Sequence, residues 1–318
     1  MSYRVFIDGQ AGTTGLRIKG RLEERSDIEL VEIAEAVRKN LGARLECIAE
    51  ADVSILCLPD EEAREIASKA GASDRIIDCS TAHRVEEGWT YGLPEVCGRQ
   101  DAAPTGQRVA NPGCHATGYI MAVRPLVEAG IIDGGAQLSC SSLTGYSGGG
   151  KAMIAEYEAE GRCRGDALSA PRRYALNQDH KHIPEMQKYS GLEAAPIFAP
   201  VVCDFYCGML VSVGLPQGVL KRGVSVGTIR ETLAEYYSGC PLVRVRDAEP
   251  RNDMAADGFA GRDDVELFVV GKDDRIEVVA RYDNLGKGAS GAAVQNLNRM
   301  LGLPETAGLV IGEEDYAG

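Results

Sequence analysis

Along the first third of the chain, short apolar runs alternate with longer stretches of helical period. YRVFID (3–8), IELVEIAE (28–35), DVSILCLP (52–59), RIIDCS (75–80) and RVAN (108–111) have the length and β-branched content of strands. Residues 13–25, 43–50 and 60–71 lie between them and space their apolar positions as helices do. Strands alternating with helices predict βαβ units and an α/β fold with a doubly wound parallel sheet. The middle of the chain breaks the pattern. Long β-rich runs at 137–144, 197–215 and 265–283, the last holding VGKDDRIEVV with KDD as a hairpin turn, predict a mixed or antiparallel sheet in an α+β second layer. KGASGAAVQNLNRMLG (287–302) predicts a helix with Ala289, Ala292, Ala293, Leu297, Met300 and Leu301 on one face. Residues 248–264 predict a long exposed loop.

A length of 318 residues suggests two domains rather than one core. The charged fraction of 25% and apolar fraction of 44% are those of a soluble globular chain. No apolar run is long enough for a membrane span, and MSYRVFIDG passes straight into a strand without a leader pattern, so a cytoplasmic protein is expected. Ten cysteines are scattered through apolar runs, which suits reduced thiols better than a disulfide frame. They and the four histidines show no zinc spacing, so no metal is expected. A net charge of −13 argues against nucleic acid or an anionic membrane as partner. A small anionic substrate would need locally clustered Arg and Lys.

VFIDGQAGTTGL places Gly9, Gly12 and Gly15 between the first strand and the first helix. Glycines there permit a tight turn and close approach to a pyrophosphate, which the helix amino terminus attracts. The spacing is GxxGxxG rather than GxGxxG, and its position in a βαβ series is what points to a dinucleotide. After the second strand, Glu35 would favour a ribose hydroxyl, whereas Arg38 and Lys39 would favour a 2′-phosphate; the basic pair favours NADP(H).

RVANPGCHATGYIMAVRP (108–125) raises a different chemistry. A Pro-Gly bend puts Cys114 at the start of a helix, where free N–H groups and the dipole stabilise a thiolate. A nucleophile needs an acid/base partner, and QDHKHIPEMQ offers His180 and His182, with Glu185 three residues beyond. These residues alone leave three readings open. They are a thioester-forming dehydrogenase, a Cys–His hydrolase without hydride transfer, and a dinucleotide-binding redox sensor.

VANPGCHATGYIMAVRP resembles the active-site signature of the N-acetyl-γ-glutamyl-phosphate reductases, in their short form. Further matching pieces are DCSTAHR (78–84), YGLPE (91–95), GYSGGGK (145–151), HKHIPE (180–185) and DNLGKGASGAAVQN (283–296), so the likeness covers nearly the whole chain. His115 departs from it, standing where the common form has an aromatic residue. Aspartate-semialdehyde and glyceraldehyde-3-phosphate dehydrogenases share the architecture but match NPGCHATG less well.

The resemblance implies a Rossmann-type dinucleotide domain, residues 1–113 plus 287–318, and an inserted substrate and dimerisation domain, 114–286. It implies reduction of an acyl phosphate to a semialdehyde by NADPH through a Cys114 thioester, in a homo-oligomer, dimer or tetramer. His180 would be the acid/base, the opposite choice being His182, which otherwise sits behind it with Glu185. Arg84, Lys151 and Ser147, with Arg172, Arg173 and Lys181 as further candidates, would hold the substrate. Thr13, Thr14, Ser80, Asn284 and Gly288 would join the glycine loop, Arg38 and Lys39 around the cofactor. Trp89 and Tyr91 are expected to be structural.

Overall fold

The computed structural model describes residues 2–97, 107–163, 165–247 and 252–312. Residues 248–251 of the predicted loop and 313–318 of the predicted first domain lie outside the described residues. The chain divides into two units, one running to Pro112 and taking back Ala289–Leu309, the other holding Gly113–Gly288 and the tail from Val310.

The first unit opens with β1 (Tyr3–Asp8), α1 (Thr13–Glu23), β2 (Ile28–Val31), α2 (Leu41–Glu50), β3 (Val53–Leu56), α3 (Asp60–Lys69) and β4 (Ile76–Asp78). β5 (Thr90–Tyr91), α4 (Pro94–Cys97) and β6 (Arg108–Ala110) follow. The second unit contains α5 (Cys114–Glu128), β7 (Ser139–Gly145), α6 (Gly150–Tyr157), β8 (Arg172–Arg173), α7 (Ile183–Ser190), β9 (Ile197–Cys203) and β10 (Met209–Leu215). It continues with α8 (Val226–Tyr236), β11 (Val243–Arg246), β12 (Val265–Lys272) and β13 (Arg275–Tyr282), after which α9 (Gly291–Leu301) returns to the first unit.

In the first unit six parallel strands run in the order β2-β1-β3-β4-β6-β5. Both faces of this sheet are covered, so its strands read as unbroken apolar runs. Alternate residues divide between two cores. Val5, Ile7, Ile55 and Ile77 meet Ile18 and Leu22 of α1 and Ala293, Val294 and Leu297 of α9. Phe6, Leu56 and Ile76 meet Ile48 of α2 and Ala63 and Ile66 of α3. The order reverses between β1 and β3, and ligands of doubly wound sheets bind beyond the carboxyl ends of strands at such a reversal. The predicted strand 28–35 ends at Val31 because Glu35–Val37 form a single helical turn. α2 begins at Leu41, two residues before its predicted start, because the Asn40 side chain accepts the Ala43 N–H as its cap.

The second unit is built on a seven-stranded mixed sheet, β11-β12-β13-β10-β7-β9-β8. β7 and β9, and β11 and β12, pair parallel; the other neighbours are antiparallel. The run 197–215 is two strands, not one, and KDD is the predicted hairpin, with Lys272 opposite Arg275. α5 is buried around most of its circumference, as an internal helix is, and packs on this sheet through Gly118, where a Cβ would stand 2.9 Å from Val211. The expected helix 287–302 begins at Gly291, and Gly286–Ser290 wind as a wider turn. A side chain at Gly286 would strike the Arg262 carbonyl, and the Gly288 N–H reaches back to the Asp283 carbonyl at 3.0 Å.

Candidate active site

The dinucleotide loop belongs to the first unit. β1 delivers Asp8 and Gly9 to the carboxyl edge of the sheet, and Gly9 turns the chain with φ +81°. A Cβ on Gly9 would strike the Cys57 carbonyl, and one on Gly15 would stand 2.7 Å from the Gly9 carbonyl. Only glycine closes this turn. Gly12 is the α1 N-cap and offers no side chain to satisfy the first-turn N–H groups of Thr13 and Thr14. That combination fits a pyrophosphate: a bare loop, an uncapped helix start and no acidic residue in the first turn. Arg38 pairs with Glu35 at 2.7 Å, so the two opposed signals neutralise one another in one turn, while Lys39 is exposed. Arg44 anchors that turn by donating to the Arg38 carbonyl at 2.8 Å.

DCSTAHR is held in place by hydrogen bonds within the first unit. Ser80 donates to Asp78 Oδ2 at 2.7 Å, and His83 Nδ1 lies 2.6 Å from the same oxygen. The His83 ring stacks on Trp89 at 4.0 Å, which gives Trp89 its structural place; Tyr91 is buried. Arg84 is buried, with Nε on the Asn111 carbonyl at 3.0 Å. It ties the ends of β4 and β6 together.

The thiol belongs to the second unit. Cys114 is half-buried at the first position of α5, and Gly113 caps that helix without a side chain. The Gly113 N–H instead donates to Glu185 Oε2 at 3.0 Å. The other Glu185 oxygen lies 3.9 Å from His182 Nε2, and both residues are buried. The Cys114 sulfur and one ring nitrogen each of His115 and His182 all lie within 4.8 Å of one another. His180 is half-buried and edge-on to His182 at 4.7 Å, and its Nδ1 accepts the His182 N–H at 3.1 Å. Nδ1 is thereby an acceptor, so the neutral His180 ring carries its proton on Nε2. Behind the thiol stands Gly288, where a Cβ would come within 2.9 Å of Cys114 Cβ.

Ser142, Tyr174 and Tyr282 were not singled out from the sequence, and His115 only as a departure from an aromatic position. His115 is buried; its Nδ1 lies 2.7 Å from Ser142 Oγ and its Nε2 2.8 Å from the Tyr174 hydroxyl. Burial, and then the neighbouring His180 and Lys181, push its pKa down to about 3, so the ring is neutral. Tyr282 inserts its hydroxyl into the first turn of α5, accepting the Gly118 N–H at 3.0 Å and donating to the Cys114 carbonyl at 2.5 Å. Burial first, and the Cys114 charge second, raise the pKa values of Tyr174 and Tyr282, which keeps both hydroxyls as donors. A signal was present for Ser142: β7 buries Cys140, Ser142 and Thr144, so polar residues occupy the inward phase of an alternating strand.

The remaining expected residues separate into two groups. Asn284 donates to Ser147 Oγ at 3.0 Å and accepts the Gly208 N–H at 2.9 Å, so these two expected residues meet in the buried interior. Lys151, Arg173 and Lys181 are exposed. Arg172 lies over the Tyr157 ring at 5.3 Å and donates to its hydroxyl at 3.1 Å.

Residues 4–103 match the family model described as semialdehyde dehydrogenase, NAD binding domain, and residues 114–284 the one described as semialdehyde dehydrogenase, dimerisation domain. An N-acetyl-gamma-glutamyl-phosphate reductase 2 of Nostoc sp. is 45% identical over 96% of this chain and 99% of its own. An N-acetyl-gamma-glutamyl-phosphate reductase of Brucella ovis is 44% identical over 95% of this chain and all of its own. Among solved structures, aspartate semialdehyde dehydrogenase II of Vibrio cholerae aligns with a TM-score of 0.69 at 16% identity, over 95% of this chain and 99% of that one. A probable aspartate-semialdehyde dehydrogenase of Pseudomonas aeruginosa aligns at 0.70 and 15%, with 95% and 99% covered. At those identities the likeness is one of fold. No helix among the described residues is long and apolar enough to cross a membrane.

Proposed function

Because this chain belongs to the N-acetyl-γ-glutamyl-phosphate reductase family, within the semialdehyde dehydrogenases, we propose that it reduces N-acetyl-γ-glutamyl phosphate to N-acetylglutamate semialdehyde and phosphate, a step of arginine biosynthesis in the cytoplasm. The observation that carries this reading is the convergence of the Cys114 thiol and His182 at the amino end of α5, with Glu185 held on the Gly113 N–H.

Cys114 attacks the acyl carbonyl, the carbon–oxygen bond to phosphate breaks, and phosphate leaves with the bonding electrons. The first-turn N–H groups of α5 face the oxygen on which charge develops. His180, its proton held on Nε2 by the bond at Nδ1, is given the acid/base duty: its Nε2–H bonds the carbonyl oxygen as charge builds there during the reduction, and the ring recovers the whole proton as the adduct collapses. Collapse of the tetrahedral adduct frees the aldehyde and restores the thiolate. A second reading gives the acid/base duty to His182, and the distance of under 4.8 Å to the thiol favours it. In that reading His182 accepts the thiol proton and Glu185 orients the ring.

A nicotinamide dinucleotide would supply the hydride, held by Gly9, Gly12, Thr13, Thr14 and Gly15, with Ser80, Asn284 and Gly288 as further contacts. Choice of NADPH over NADH is assigned to Arg38 and Lys39. Substrate contacts are assigned to Ser147, Lys151 and Arg84, and to His182 and Glu185 when His180 moves the proton. The dimerisation-domain match supports a homo-oligomer, read as a dimer or tetramer.

The test is phosphate-dependent reduction of NADP with N-acetylglutamate semialdehyde, run beside Cys114→Ala and beside aspartate semialdehyde. Turnover with the acetylated aldehyde alone, lost in the variant, is the expected result; no turnover with either aldehyde rejects the reading. His180→Asn against His182→Asn then assigns the proton, since removing an acid/base costs about 10²-fold or more in kcat.

A further inference from the structure

Three of the four histidines of the chain form one cluster, with ring centroids of His115, His180 and His182 separated by 5.4, 5.4 and 4.7 Å. Two of them also face the thiol. The proposed chemistry uses a nucleophile and a proton-transfer group on the 180–182 segment; it gives no task to a second buried imidazole, His115, beside the sulfur. We propose that Cys114, His115 and His182 form a capture site for a thiophilic divalent cation of the zinc class, closed on the nucleophile itself, so that the bound ion silences the thiol. This goes beyond the reductase reading and does not depend on which histidine moves the proton.

One sulfur and two imidazole nitrogens are the donor set a borderline-soft d10 cation selects over magnesium or calcium. Bond lengths of about 2.3 Å to sulfur and 2.0–2.1 Å to nitrogen put tetrahedral donors about 3.3–3.6 Å apart. The three donor atoms already lie within 4.8 Å of one another, so closure asks for movements of about 1 Å, which rotation of the Cys114 side chain supplies. The fourth position is left to water, as in sites with three protein ligands.

The surroundings suit an ion in charge and in orientation. The thiolate and the buried Glu185 carboxylate, 3.9 Å from His182 Nε2, together balance a double positive charge. His115 is held by Ser142 at one ring nitrogen and by Tyr174 at the other. One hydroxyl yields to the ion and the other remains as the outer partner that fixes the ring. The step involves no change of oxidation state. The Cys114 S–H bond breaks, a sulfur–metal bond forms, the proton passes to solvent, and two neutral imidazoles donate lone pairs.

The experiment uses the full chain after chelator treatment. Zn2+ is titrated in competition with a chromogenic chelator, Co2+ is added as a spectroscopic probe, and iodoacetamide labelling is mapped by peptide to Cys114. The expected result is one tight equivalent per chain, a thiolate-to-cobalt charge-transfer band that Cys114→Ser abolishes, and a slowing of Cys114 labelling by Zn2+. His115→Phe should weaken Zn2+ binding about 10- to 100-fold and restore labelling in its presence. Should that variant misfold by circular dichroism, His182→Gln takes its place, and the cobalt spectrum of the unaltered chain stands on its own. Protection as strong in these variants as in the parent overturns the proposal. So does a cobalt band that survives in Cys114→Ser, which would put the ion on other thiols such as the exposed Cys97 and Cys163. None of these readouts requires turnover, so they separate from a failure of the reductase assignment.

Discussion

Replacing Asp8 by Asn should stabilise the protein at alkaline pH and do little in acid. Asp8 closes β1, is only 3% exposed, and has Oδ2 buried without a hydrogen-bond partner among the described residues. Burial, opposed by the Arg44 guanidinium 3.4 Å away and reinforced by the Glu62 carboxylate, raises its pKa from 3.8 to about 6. At 1.36 kcal/mol per pH unit, that displacement is worth about 3 kcal/mol. The sign follows from which state holds the proton. Between the two values the folded chain binds a proton that the unfolded chain has released, so the contribution is fully present in acid and is lost as pH rises through about 6. Near pH 8 the folded state carries an ionised, poorly satisfied carboxylate. Asn resembles the protonated side chain, so Asp8→Asn should recover about 1–3 kcal/mol there, the lower end allowing for the lost Arg44 pair and an imperfectly bonded amide. Near pH 4 the gain should shrink to about 0.5 kcal/mol. Urea midpoints for both proteins at the two pH values provide the measurement. An equal gain at both, or a loss confined to alkaline pH, would show that Arg44 outweighs desolvation and would refute the reasoning.

Three further outcomes are expected. Gly9→Ala, which forces a positive φ on a residue with a Cβ and drives that Cβ onto the Cys57 carbonyl, should cost at least about 1–2 kcal/mol and weaken dinucleotide binding by titration. Unchanged affinity would detach the loop from the cofactor. Tyr282→Phe leaves the Gly118 N–H and the Cys114 carbonyl without the hydroxyl that bridges them, and should lower stability by about 1–3 kcal/mol and alter the rate of Cys114 alkylation. Identical stability and labelling would place the hydroxyl outside the energetics of α5. Arg38→Ala should lower kcat/KM for NADPH about tenfold and leave NADH unaffected, the size of one charge-assisted contact to phosphate; an equal effect on both cofactors would confine Arg38 to its pair with Glu35.

The parts of this molecule differ in how openly the chain announces them. Strands buried on both faces have no polar phase to hide in, so β1, β3 and β4 stand out as apolar runs, and the glycine turn after β1 is marked by residues that only a tight bend requires. The break between β9 and β10 was not legible, because DFYCG carries a single glycine, Gly208, and interrupts the apolar run without a Pro or Asn-Gly signal. The same division runs through the site. Cys114, His182 and Glu185 sit at helix starts and could be found by local pattern. Ser142, Tyr174 and Tyr282 acquire their partners through sheet register: β10 pairs with both β7 and β13, which sets Ser142 and Ala280 on either side of Val211, and no spacing along the chain encodes that. His115 lies between the two cases. Locally it reads as a departure from an aromatic position inside a buried helix. A buried imidazole with one ring nitrogen on Ser142 and the other on Tyr174 can persist only if both hydroxyls are placed for it, since an unpaired ring nitrogen in the interior costs about 1–3 kcal/mol. The polar residues in the inward phase of β7 are therefore the counterpart of His115, and the substitution at 115 is one half of a polar pairing whose other half lies on the sheet.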